Sequence, residues 1–136
     1  MFRLSIVTPE KVLFDGEVKS LFVPGSEGYL GVLSHHAPLI TALKPGKVEY
    51  REKSDRTAVL ALGGGFMEVS GNKATILAED VEFAEKIDLS AAEAEYNLQR
   101  SRIAAHAKGD TSVDVKAARA AMERAANRIS IAKEQR

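Results

Sequence analysis

The chain has no cysteine and no tryptophan, and only three histidines in 136 residues. Without cysteine there are no disulfides, no thiolate metal ligands and no cysteine nucleophile, which fits a reducing compartment. There is no excess of either charge, because nineteen basic residues balance nineteen acidic ones. No global field therefore points to nucleic acid or to an anionic membrane. No apolar run approaches the ~20 residues a membrane helix needs, and the N-terminus lacks a signal-peptide pattern. The expectation is a soluble, cytosol-facing protein with no membrane span. The last scarcity is local: from Asp88 to Arg136 there is no proline and a single glycine, Gly109.

What is present divides the same way. Residues 1 to about 86 read as β. Phe2, Leu4 and Ile6 alternate with Arg3 and Ser5, and Thr8-Pro9 ends the run. Short apolar stretches follow, separated by Asp15-Gly16, Pro24 to Gly28, Lys44-Pro45-Gly46, Ser54-Asp55, Gly63-Gly64-Gly65 and Ser70-Gly71-Asn72, all turn chemistry. This spacing predicts about ten short strands in a sandwich or flattened barrel. The most constrained stretch is Gly28 to Ile40. Gly28 and Gly31 permit a sharp backbone turn, and Pro38 pushes Ala37 towards an extended conformation.

From about residue 87 the composition changes to alanine-rich helix. Asp88 reads as an N-cap, followed by Leu89, Ala92, Tyr96 and Ile103 on one stripe. Lys108 to Ser112 reads as a break, with Gly109 as C-cap and Ser112 as the next N-cap. A second stripe runs through Ala118, Met122, Ala125, Ile129 and Ala132. The chain thus reads as α+β: a β-sandwich over 1–86 and an antiparallel two-helix hairpin over 87–136. Alanine favours the helix but buries little area, about 0.8 kcal/mol per methylene. The stripes hold each helix well and its tertiary position weakly, so the pattern fits either a static hairpin or one that detaches and docks elsewhere.

The candidate chemical groups are few. Gly63-Gly64-Gly65 has no Lys-Ser/Thr after it and precedes a strand, so it reads as a strand connection and not a phosphate cradle. Adjacent His35 and His36 point to opposite faces of an extended segment and do not chelate one metal together. The acids Glu79, Asp80, Glu82, Glu85 and Asp88 read as the solvated face of an edge strand. No nucleophile is placed with a base, so no catalytic site is expected. Arg124 and Arg128 are one helical turn apart, where two guanidiniums hold a phosphate or form an ordinary solvated basic face. The segment Ser112 to Arg136 carries six Lys/Arg against three Asp/Glu, a charge suited to an acidic partner surface or to local helix pairs.

In order, the chain carries Ser26-Glu27-Gly28-x-Leu30-Gly31, His36-Ala37-Pro38-Leu39, Gly64-Gly65-Phe66-x-Glu68-Val69, and Ile87-Asp88 opening the alanine-rich hairpin. This resembles the epsilon-subunit family of bacterial F-type ATP synthases over its whole length. The resemblance implies a non-catalytic rotor subunit of the central stalk, peripheral on the cytoplasmic face of the bacterial membrane. It implies that the β-domain touches the gamma subunit and the c-ring through Ser26, Glu27, Gly28, Tyr29, Leu30, Gly31 and His36. Tyr29 stands where family members often carry an acid. The hairpin is expected to fold down on the sandwich, or to extend towards the catalytic alpha and beta subunits and block ATP hydrolysis. No obligatory cofactor or metal is implied. The alternative is an ATP-sensing module whose hairpin closes on nucleotide as a regulatory ligand. The family's ATP motif matches Ile87, Asp88, Ala92, Arg124 and Arg128, but its own arginine is Ala91 here.

Overall fold

The computed structural model describes residues 1–135 in two compact units, one spanning Met1–Phe83 and one beginning at Ala84. The first contains β1 (Phe2–Val7), β2 (Val12–Gly25), β3 (Gly28–Val32), β4 (Leu39–Glu52), β5 (Thr57–Ser70), β6 (Lys73–Leu77) and β7 (Val81–Phe83). Hydrogen bonding runs β1-β6-β5-β4-β2, and β1 also pairs with β2, so these strands close on themselves. β3 extends the path beyond β2, and β7 pairs with β5. β1 lies parallel to β6; every other pairing is antiparallel. The result is a sandwich-like closed sheet.

There are seven strands among the described residues, not about ten, because β2, β4 and β5 each run 14 residues. Asp15-Gly16, Lys44-Pro45-Gly46 and Gly63-Gly64-Gly65 lie inside these strands and do not separate shorter ones. Asp15 and Gly16 pair with Ser5 and Leu4, and Pro45 pairs with Gly63. Small or rigid residues serve bends within a strand as well as turns between strands. At Gly65 the need is steric. Its φ is 155°, and a Cβ there would press on the Leu77 carbonyl oxygen and on Ala78. Only glycine fits.

The alternation seen in Phe2, Leu4 and Ile6 is realised, since all three are buried. They join Val18, Leu21, Val23, Val32, Val48, Leu60, Leu62, Met67 and Ile76 in one core inside the sheet. Phe14 packs on Tyr50 with ring centroids 4.4 Å apart. Burial pushes the Tyr50 hydroxyl up to about 12, with Glu52 adding to the shift.

The second unit opens with a short 3-10 turn, Ala84–Lys86, followed by α1 (Leu89–Ala107) and α2 (Val115–Glu134). Asp88 caps α1 as the sequence predicts, its carboxylate accepting from Ala91 N–H at 3.0 Å. At the other end Gly109 N–H donates to the His106 carbonyl and Asp110 N–H to that of Ala105, a paired closure with Gly109 at φ 107°. The cap of α2 is Asp114, not Ser112, and the helix begins two residues later than expected. Ser112 is already engaged: its N–H and hydroxyl both donate to the Asp110 carboxylate, at 2.9 and 2.6 Å. Asp114 instead accepts from Ala117 N–H at 3.0 Å.

Candidate functional site

The β2–β3 connection is a tight hairpin, with Gly25 paired to Gly28 and Ser26-Glu27 at its tip. A Cβ at Gly25 would meet the Gly28 carbonyl oxygen and a Leu30 methyl at 2.8 Å, and Gly28 has φ 133°. Ser26 N–H donates back to the Ala42 carbonyl at 3.0 Å, tying the tip to β4. Ser26, Glu27, Gly28, Tyr29 and Gly31 are exposed, whereas Leu30 is half-buried against the core.

Tyr29 is exposed but held. Its ring stacks on Phe22 with centroids 4.9 Å apart and planes 15° from parallel. Its hydroxyl accepts from Lys47 N–H at 2.9 Å. This happens where β2–β4 pairing is interrupted between Leu43 and Glu49. Gly46 makes the approach possible, since a Cβ there would lie 2.7 Å from both the Tyr29 hydroxyl and Pro24. A large aromatic side chain in one fixed pose on a surface loses little entropy when a partner covers it.

The His36 corner is built as a turn in which His36 N–H donates to the Leu33 carbonyl at 3.2 Å. His35 adopts φ 61°, and its N–H donates to the Asn72 side-chain oxygen at 2.7 Å. Asn72, itself left-handed at φ 58° in the β5–β6 turn, also donates to the Met1 carbonyl at 3.1 Å. His36 Nδ1 lies 2.7 Å from the Ala37 carbonyl, a contact that requires the proton on that nitrogen. The two histidines are therefore occupied with corner geometry.

A further surface feature escaped the sequence reading. Ile40, Phe66 and Leu77 are 76%, 61% and 54% exposed. Phe66 pairs with Ala42 on one side and Leu77 on the other, so these three form one row across β4, β5 and β6. Ile40 follows on the same face, opposite Glu68. The available signal was the apolar doublets Leu39-Ile40, Phe66-Met67 and Ile76-Leu77. In each the alternation rule leaves one apolar residue for the outer face. Met67 and Ile76 point into the core, and their neighbours face outwards.

In the helical unit, Ile87 and Ala92 are buried, Ala91 is exposed, and Arg124 and Arg128 are half-buried one turn apart on α2. Asp88 is committed to its cap. A cleft of about 730 Å³ between the helices is bordered by Arg102 and Arg124, together with Gln99 and Asp114. Ile87, Asp88, Ala92 and Arg128 do not border it.

The family described as ATP synthase, Delta/Epsilon chain, beta-sandwich domain matches residues 1–84. The ATP synthase epsilon chain of Desulforamulus reducens is 41% identical over 130 residues, covering 96% of both chains. That of Lacticaseibacillus casei is 37% identical over 133 residues, covering 96% of this chain and 93% of the relative. The chain belongs to the ATP synthase epsilon family. A chain of the Euglena gracilis mitochondrial ATP synthase, solved as an OSCP/F1/c-ring assembly, superposes with a TM-score of 0.75 at 21% identity. The match covers 88% of this chain and 74% of that one. A chain of the Tetrahymena thermophila mitochondrial central stalk and c-ring assembly gives 0.61 at 18% identity, covering 98% and 94%. These two likenesses are likenesses of fold. As an epsilon-family β-domain, the first unit presents two outward features, the pinned Tyr29 at its hairpin and the apolar row through Phe66.

Proposed function

We propose that the chain works as a non-catalytic central-stalk subunit of a bacterial F-type ATP synthase, peripheral to the membrane on its cytoplasmic side. The β unit seats on the gamma subunit and the c-ring, and the helical unit restrains ATP hydrolysis. The observation that carries the seating is the row Ala42–Phe66–Leu77 with Ile40 beside it. A small β-domain that leaves a phenylalanine, an isoleucine and a leucine adjacent on one outer face gains by covering them. We assign that row to gamma. Ser26 to Gly31, with Tyr29 held over Gly46, is assigned to the c-ring, and His36 to the boundary with gamma.

The restraint on hydrolysis fits the helical unit. Its buried positions are largely alanine, so its packing contributes little area, while α2 carries Lys116, Arg119, Arg124, Arg128 and Lys133. A weakly packed basic helix suits docking against acidic surface on the catalytic subunits. ATP is assigned a regulatory role only, bound through Arg124 and Arg128. The test of the seating is capture of purified gamma subunit by Phe66→Glu and by Ile40→Glu. Each variant is expected to lose binding by tenfold or more while keeping its fold, and undiminished capture by both would contradict the assignment.

A further inference from the structure

On the buried side of the hairpin, beside Ile131, runs a seam of positions at a seven-residue spacing that is mostly alanine. Ala118, Ala125 and Ala132 are buried on α2, and Ala92 and Gln99 on α1. Positions seven apart lie on one helix face, because two turns take about seven residues. Four of these five positions are alanine. The fifth is a glutamine only 6% exposed, the one buried polar side chain among the described residues of the helical unit.

Gln99 is half satisfied. Its Nε2 donates to Glu95 Oε1, one turn earlier, at 2.8 Å. That bond fixes the amide's orientation, since a flipped amide would set its carbonyl oxygen against a carboxylate. The oxygen Oε1 is left out of contact with solvent, and no protein donor reaches it. The side chain borders the cleft between the helices beside Ala118 and Ala121. A buried acceptor without a donor destabilises the arrangement that buries it.

We propose that Gln99 is a release element of the hairpin: its orphaned carbonyl raises the free energy of the packed helices alone. When α1 and α2 separate, Oε1 is hydrated and the cost disappears. Helix formation itself is unaffected, because glutamine is a good helix former. The penalty therefore acts on one of two states, which is what shifts a population between them. An apolar residue of similar length at this position would deepen the packed state. The inference rests on the proposed braking role only for its consequence in the complex; the bias itself belongs to the chain.

The test is hydrogen–deuterium exchange on the full-length chain carrying Gln99→Met or Gln99→Leu. Seam amides of α1 and α2 are expected to exchange about tenfold more slowly, the change that ~1.4 kcal/mol produces. Amides of the β unit are expected to stay as they were. Slower seam exchange in at least one variant supports the release element, and no slowing in either overturns it. In the assembled enzyme the slower-exchanging variant should inhibit hydrolysis less. Slower exchange with unchanged inhibition would uphold the release element and detach the brake from separation of the helices.

Discussion

The Tyr29 hydroxyl accepts a hydrogen bond from the backbone N–H of Lys47 at 2.9 Å, across a gap in the pairing of β2 with β4. A side chain thus occupies a place where a strand ladder would otherwise continue, and its ring is fixed on the surface as a result. Tyr29→Phe should remove the acceptor and keep the stack on Phe22, costing about 1 kcal/mol of stability. The Lys47 amide should exchange faster in that variant, with neighbouring β4 amides little changed. Tyr29→Ala should lose the ring as well and weaken docking to the c-ring more than Tyr29→Phe does.

Gly65 has a left-handed φ and no room for a Cβ beside the Leu77 carbonyl. Gly65→Ala is expected to cost about 3 kcal/mol or more and lower the melting temperature by roughly 10 °C or more. The same substitution at Gly71 finds open space at φ 57° and should cost less. Thermal unfolding of the two variants checks the ordering.

Tyr50 gives the β unit an alkaline limit. Its hydroxyl sits at about 12 when folded, against 10 for the free side chain, chiefly through burial. A raised folded value means that stability is fully present below pH 10. It is lost as pH rises towards 12, by about 1.4 kcal/mol per pH unit across that window. Denaturant unfolding at pH 8, 10 and 11.5 should show this loss in the wild type. Tyr50→Phe should remove most of it.

ATP binding should be weak. Ala91 is exposed and uncharged where the resemblance implies an arginine, which leaves Arg124 and Arg128 as the cations of the proposed ATP site. One missing charge-assisted bond is worth about 1.5–3 kcal/mol, or tenfold and more in affinity. Calorimetry with MgATP should find stronger binding in Ala91→Arg than in wild type, and none in Arg124→Ala/Arg128→Ala. Equal affinity in wild type and Ala91→Arg would detach ATP from this motif.

The division into a β unit and an alanine-rich hairpin was legible because period-2 alternation at Phe2, Leu4 and Ile6 and the loss of glycine and proline after Asp88 are both strong signals. Strand number was not, because Gly63 to Gly65 and Pro45 mark bends as readily as ends, and local composition does not distinguish the two. Ser112 was misplaced for a related reason: Asp114, two residues on, caps a helix as well as serine does, and its carboxylate takes the Ala117 N–H. Tyr29 was visible as a residue but not as a held one, since its partners Phe22, Gly46 and Lys47 are remote in sequence. Gln99 was unreadable, because a glutamine in a helix normally faces water, and α1 has no apolar face strong enough to show which side is inside.

The central claim is that the helical unit restrains an enzyme to which the β unit attaches it. The direct measurement is ATP hydrolysis by the assembled synthase whose subunit ends at Asp88. Hydrolysis should rise several-fold while the truncated subunit still co-purifies with gamma and the c-ring. Hydrolysis unchanged in a complex that retains the truncated subunit would contradict the account.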